Sequence, residues 1–173
     1  QILGEKSKRI LLLQKAPLPD LDSIRTAAGG YLVQTPDVLS EPVVYTSVTE
    51  ATPTEDEMAD IRMAESIVKY CKSNALAIVR DSQLLATGIG QTSRVSALRQ
   101  AIQKAHNFGF DLKGAVLASD AFFPFRDCVD LAAAAGITAI VQPGGSIRDQ
   151  ESIDACNEQG VAMVTTGVRH FRH

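Results

Sequence analysis

The stretch Ser119-Asp120-Ala121-Phe122-Phe123-Pro124-Phe125-Arg126-Asp127 leaves the chain few ways to fold. Ahead of it runs Ala115-Val116-Leu117-Ala118, apolar throughout, and behind it an alanine-rich segment from Val129 to Ala135. A short apolar run bounded by turn residues reads as a strand buried on both faces, and the alanine run reads as a helix. Pro124 can neither donate to a sheet ladder nor sit inside a helix, which confines the rings to the turn. Strand, aromatic loop and helix form the repeating piece of an α/β sandwich. Beyond the carboxyl ends of such strands lies the space where ligands settle. Rings with carboxylates at both ends suit a flat polar heterocycle, and rings merely buried in the core would give the same string.

The remaining segments alternate in the same way. Ile10 to Leu13 has strand character and ends at the Pro17 and Pro19 turn. Asp20 to Ala28 reads as a loop carrying Arg25, after which Gly29-Gly30 introduces a strand from Tyr31 to Gln34. Pro42 to Thr46 reads as an edge strand, and Ser47 to Thr52 as a linker. Thr54-Glu55-Asp56-Glu57 is a capping box, and Met58, Ile61, Ala64, Val68 and Cys71 lie on one apolar stripe, which predicts a helix from Glu55 to Lys72. Ala75 to Arg80 and Leu84 to Thr87 form a hairpin, and a helix carrying Val95, Leu98, Ile102 and Ala105 follows. Thr138 to Gln142, a helix from Asp149 to the C-cap glycine Gly160, and Val161 to Thr165 complete a three-layer α-β-α sandwich. The expected division is 1–52, leading strands and linker, and 53–173, the sandwich.

Composition narrows the function classes. A net charge of −3 provides no basic face for nucleic acid. No apolar run approaches the ~20 residues that span a bilayer, and no signal-peptide pattern opens the chain. Cys71, Cys128 and Cys156 are odd in number and widely spaced, against a disulfide framework. These features predict a cytoplasmic protein without a membrane segment. The start at Gln1, without methionine, reads as an excerpt of a longer protein.

Several clusters could carry chemistry. Gly88-Ile89-Gly90 lacks the third glycine of a dinucleotide fingerprint. Gln91, Ser93 and Arg94 at a helix start could hold an anion or a carboxamide, and helix capping by Ser93 beside a solvated Arg94 explains them equally well. Pro143-Gly144-Gly145-Ser146 could form an anion-binding nest or simply a turn. The histidines His106, His170 and His173 carry no zinc-deaminase H-x-E, and no two cysteines are close; His106 reads as exposed. Arg169, His170, Arg172 and His173 would bind phosphate if the tail folds under the strand ends.

Ser73-Asn74, Gly90 to Arg94, Ser119 to Asp127 and the Arg-x-Phe-x-His ending occur together, in this order, in one family. On them the chain resembles the C-terminal half of the transformylase region of the AICAR transformylase/IMP cyclohydrolase family. The resemblance implies a cytidine-deaminase-like fold without zinc. It implies formyl transfer from 10-formyltetrahydrofolate to AICAR ribotide in purine biosynthesis, by a homodimer whose active site lies at the subunit interface. By motif, Asn74 is implied as the supporting catalytic amide, and Asn74, Arg94, Phe122, Arg169 and His173 as ribotide contacts. Pro124, Phe125 and Asp127 are implied to face the folate. A structural potassium is implied near Ser73 and Asp120, although Cys71 stands where a threonine is common. Cys128 likewise replaces a frequent asparagine. The family's Lys-His pair and its cyclohydrolase domain would belong to the N-terminal part of the same protein, so this segment alone is expected to be inactive. The rivals are a non-catalytic purine-ribotide-binding module and a deaminase-like enzyme of other chemistry, the latter disfavoured by the missing ligands.

Overall fold

The computed structural model describes residues 10, 12–17, 21–38 and 42–173. The chain divides into two compact units, 1–38 and 39–173. In the first, strand β1 (Ser23–Ala27) pairs antiparallel with β2 (Gly30–Gln34). Arg25 therefore lies in a strand and not in a loop. Ala28 and Gly29 form the turn with φ of 44° and 83°, the doubly left-handed pattern of a two-residue hairpin. Ile10, Leu12 and Leu13 are exposed and take no strand pairing among the described residues, against expectation; Leu11 and Pro19 lie outside them.

The second unit is the three-layer sandwich. Its elements are β3 (Thr46–Ser47), α1 (Glu55–Val68), β4 (Leu76–Arg80), β5 (Gln83–Gly88), α2 (Arg94–Asn107), β6 (Val116–Ser119), α3 (Asp127–Ala134), β7 (Ala139–Gln142), α4 (Asp149–Gln159) and β8 (Ala162–Thr165). The sheet order is β3-β8-β7-β6-β4-β5, with β6, β7 and β8 parallel and the other pairs antiparallel. The edge strand is shorter than expected and shifted, so that Tyr45 points its hydroxyl at α1.

Helix α1 begins as its capping box requires: Thr54 Oγ1 accepts the Glu57 N–H at 3.2 Å, and Glu57 Oε2 accepts the Thr54 N–H at 2.8 Å. It stops at Val68, four residues before the expected Lys72, and the chain turns into a cis Ser73–Asn74 peptide. From α1, the buried Asp60 carboxylate accepts the N–H groups of Asp81 and Ser82 at 2.8 and 2.7 Å, satisfying the tight β4–β5 turn. The sheet is apolar on both faces, as a covered sheet must be. Leu76, Ile78, Leu117, Ile140 and Met163 face α2, α3 and α4. Smaller residues, among them Ala77, Val116, Ala118, Ala139 and Val141, face α1. Each large side chain buried this way contributes on the order of 2 kcal/mol.

Topology decides where a site can form. Because β4 runs antiparallel to β6, its start lies beside the end of β6, with Leu76 opposite Ser119 and also opposite Gly88 at the end of β5. The segments before β4 and after β5, β6, β7 and β8 thus meet along one rim of the sheet. That rim receives Asn74, Gly90 to Arg94, the aromatic loop, Gln142 to Ser146, and the tail.

Gly88 is explained by packing. A Cβ there would stand 1.8 Å from the Ala97 carbonyl oxygen and 2.6 Å from its carbon, because α2 crosses the strand at that point. Gly88→Ala should destabilise the fold by about 3 kcal/mol. Gly90→Ala, at φ 65° and with a Cβ that would meet only the Lys72 side chain at 3.9 Å, should cost about 1 kcal/mol. Urea denaturation of the two variants checks the ranking.

Candidate functional site at the strand ends

The site is built around Arg94, the first residue of α2, which is only 8% exposed. Ser93 caps the helix by accepting the Ser96 N–H, which leaves Arg94 turned inward rather than solvated. Its Nη2 pairs with Asp120 Oδ1 at 2.7 Å and also donates to Asn74 Oδ1 at 3.0 Å. Its Nη1 donates to the Phe122 carbonyl oxygen at 3.0 Å. Asn74 Nδ2 in turn donates to the Gln91 carbonyl at 2.9 Å. One guanidinium therefore joins the segment before β4, the start of α2 and the loop after β6. Arg94 Nε and Asp120 Oδ2 are buried without a hydrogen-bond partner.

The aromatic loop divides its rings. Phe123 is fully buried in the core, and Phe122 is half-buried. Phe125 is 49% exposed, with the Arg148 guanidinium 4.9 Å from its ring centroid. Pro124 is partly exposed, and Asp127 lies exposed at the first position of α3, where the helix dipole favours a carboxylate. One ring of the loop is therefore core, and the other two remain partly exposed. Arg126 bridges Asp130 and Glu158 on the surface and ties α3 to α4.

The tail folds against the rim. Ser73 N–H donates to the Arg172 carbonyl and the Arg172 N–H to Ser73 Oγ, both at 2.9 Å, while the His170 N–H donates to the Asp120 carbonyl at 2.9 Å. Its side chains alternate as in a strand. His170 turns inward and is buried, whereas Arg169 lies over the Phe171 ring at 3.9 Å and His173 meets that ring edge-on at 4.7 Å. Of the residues singled out in the sequence, Asn74, Arg94, Asp120 and Phe122 are joined directly by hydrogen bonds, and Ser73 is bonded to Arg172 of the tail. Phe125 and the Arg169 to His173 ladder flank it.

Three residues escaped the sequence reading. Glu65 on α1 accepts Tyr45 Oη at 2.7 Å and His170 Nε2 at 3.2 Å, anchoring the tail from beneath. Burial alone would raise its carboxyl, but the hydrogen bonds from His170 and Tyr45 outweigh that and hold it below the ordinary value. Gln142 bonds the aromatic loop, and Arg148 carries Phe125. A glutamate one position past the Ala64 stripe was the only signal for the first. The Gly144-Gly145 turn offers no vacant nest toward Asp149: that carboxylate already accepts the Gly145 N–H at 2.6 Å. His106 is exposed, as expected.

The cation expected near Ser73 and Asp120 can be tested against the donors present. Asp120 Oδ2 is a buried carboxylate oxygen without a partner, which suits a hard, oxygen-seeking ion. Cys71 does not add to that set. Its thiol, raised by burial and by the nearby Asp120 charge, stays protonated and contacts the Ile67 carbonyl at 3.4 Å. Cys128, 1% exposed and pushed up to about 12 chiefly by burial, is a core residue. Among the described residues no group of three or more His, Cys, Asp or Glu side chains forms a metal cluster, and no helix is long and apolar enough to cross a membrane.

Fold and rim together define an α/β sandwich with a polar, aromatic-walled surface at its strand ends. Residues 1–104 match the family model described as the AICARFT/IMPCHase bienzyme. The chain is 53% identical over its whole length to the bifunctional purine biosynthesis protein PurH of Bacteroides thetaiotaomicron, of which it covers 34%. Over 87% of the chain it is 56% identical to PurH of Aquifex aeolicus, covering 29% of that protein. A dCMP deaminase from cyanophage S-TIM5 is similar with a TM-score of 0.46 and 19% identity, over 65% of this chain and 98% of that one. The chain belongs to the AICARFT/IMPCHase bienzyme family. It spans about a third of the length of the curated relatives it matches.

The Glu65 anchor makes a pH-dependent prediction. Its folded value lies below the ordinary 4.5, so its contribution is complete above that pH and is lost as pH falls through the folded value. Glu65→Gln should cost about 2 kcal/mol at neutral pH. In urea melts from pH 7 to pH 3, the gap between wild type and variant should narrow as pH drops below 4.5.

Proposed function

We infer that this chain is the C-terminal part of the transformylase region of a bifunctional purine-biosynthesis enzyme. In this reading the rim forms part of the site that transfers a formyl group from 10-formyltetrahydrofolate to the 5-amino group of AICAR ribotide. The observation that carries it is the convergence of Asn74, Arg94 and Phe122 in one hydrogen-bonded unit beside the exposed Phe125 ring. Family membership supports the substrate pair.

The AICAR amine is a weak nucleophile because its lone pair is conjugated with the adjacent carboxamide. Attack on the formyl carbon forms a C–N bond, breaks the bond to folate nitrogen, and requires a base for the amine proton and a donor for the developing oxyanion. Asn74 has an N–H and a lone pair beyond those used by Gln91 and Arg94, and these orient the substrate carboxamide and formyl centre. Arg94 holds Asn74 in place. Phe122 walls the ribotide, and Arg169 and His173 take its phosphate end. Pro124, Phe125 and Asp127 face the pterin, with the Arg148 guanidinium behind the Phe125 ring. Potassium, when bound, supplies fixed positive charge beside Asp120 and Ser73.

The base, a Lys-His pair, comes from the N-terminal part of the same protein, which also carries the IMP cyclohydrolase activity. A cytoplasmic homodimer completes the site at its interface.

In the full-length protein, Phe125→Ala should raise the KM for 10-formyltetrahydrofolate about tenfold through loss of a stacking surface, with the KM for AICAR unchanged. Purified residues 1–173 should show no transfer. An unchanged folate KM with a raised AICAR KM would contradict the assignment of Phe125 to the folate. Binding of ribotide without folate in titrations would favour a non-catalytic ribotide-binding module, and robust transfer by the segment alone would contradict the division of the site.

A further inference from the structure

Gln142 closes β7 on the same face as Ile140, beneath the α2–α4 layer, and is 1% exposed. An amide among apolar side chains is unfavourable unless both of its ends are bonded. Its Oε1 accepts the Phe123 N–H at 2.7 Å, and its Nε2 reaches Met163 Sδ at 3.4 Å. The carbonyl of that same peptide unit, on Phe122, accepts from Arg94 Nη1 at 3.0 Å. A single peptide plane is therefore gripped at both polar atoms by buried side chains, one from α2 and one from β7.

The peptide unit is rigid, so holding its N–H and its C=O fixes the plane from which both rings depart. Phe123 goes into the core, whereas Phe122 stays partly exposed. The two carbonyls before it are also bonded, Asp120 to the His170 N–H at 2.9 Å and Ala121 to Ser119 Oγ at 2.6 Å. Beyond this clamp the chain is released to present Pro124 and Phe125.

We propose that Gln142 is a positioning residue, setting the aromatic platform by holding the Phe122–Phe123 peptide against Arg94. This rests on the reading that the platform receives the formyl donor and the ribotide. A Gln142 that only satisfies a core N–H would contribute to stability and leave the kinetics alone, and the two roles separate experimentally.

The test uses the full-length protein with Gln142→Met, which keeps the length and removes the amide acceptor, and Gln142→Glu, which keeps an acceptor at the same reach. Hydrogen exchange over residues 119–125 reads the clamp, and steady-state kinetics with varied 10-formyltetrahydrofolate reads the platform. In Gln142→Met, exchange should accelerate and kcat/KM for the formyl donor should fall on the order of tenfold or more. Gln142→Glu should recover most of both. Unchanged exchange in Gln142→Met would overturn the clamp. Faster exchange with unaltered kcat and KM would overturn the positioning role, as would equal losses in the two variants. A wild-type protein without formyl transfer would overturn the proposed function, and with it the substrate side of this inference, while exchange would still judge the clamp.

Discussion

A guanidinium and a carboxylate, 2.7 Å apart and 8% and 0% exposed, hold the rim of this sheet together. Burying two such charges costs several kcal/mol each, and their attraction alone offsets little more than that. The Arg94–Asp120 pair is kept because the guanidinium has further work at fixed angles: it meets Asn74 Oδ1 and the Phe122 carbonyl as well. A lysine, with its single point charge, could not span all three acceptors. What the pair contributes is geometry. It decides where the aromatic loop leaves β6 and how the amide before β4 is presented.

The rest of the second unit serves this rim. Antiparallel β4 between β5 and β6 brings the start of one strand to the ends of the others, so five chain segments meet where an all-parallel sheet would offer fewer. Gly88 lets α2 approach the strand closely enough for Arg94 to reach inward. From the opposite layer, Glu65 holds His170, and the backbone around Ser73 and Asp120 stitches the tail alongside. The candidate site is therefore assembled by both helical layers, although most of its residues other than Arg94 come from loops.

Much of the sandwich could be read from local pattern. The Thr54–Glu57 box, the stripe through Ile61, Ala64 and Val68, and the apolar runs at 76–80, 116–119 and 139–142 each carry their own periodicity or cap. Where the reading failed, the cause was non-local or stereochemical. β1 was missed because Ala28 takes a positive φ that no alanine advertises. Ile10 to Leu13 had strand composition, but composition does not supply a partner. Glu65 and Gln142 looked like ordinary polar residues because their partners lie 105 and 19 residues away. Motif resemblance singled out Asn74, Arg94 and Phe122 separately, and only the geometry makes Arg94 the hub that connects them.

A double-mutant cycle on Arg94→Met and Asp120→Leu, read by urea unfolding, measures whether that hub organises the rim. Each single variant leaves an unpaired buried charge and should lose about 3–5 kcal/mol, whereas the double variant should recover much of the loss, giving a coupling of about 2 kcal/mol or more. Additive losses, within about 0.5 kcal/mol, would contradict it.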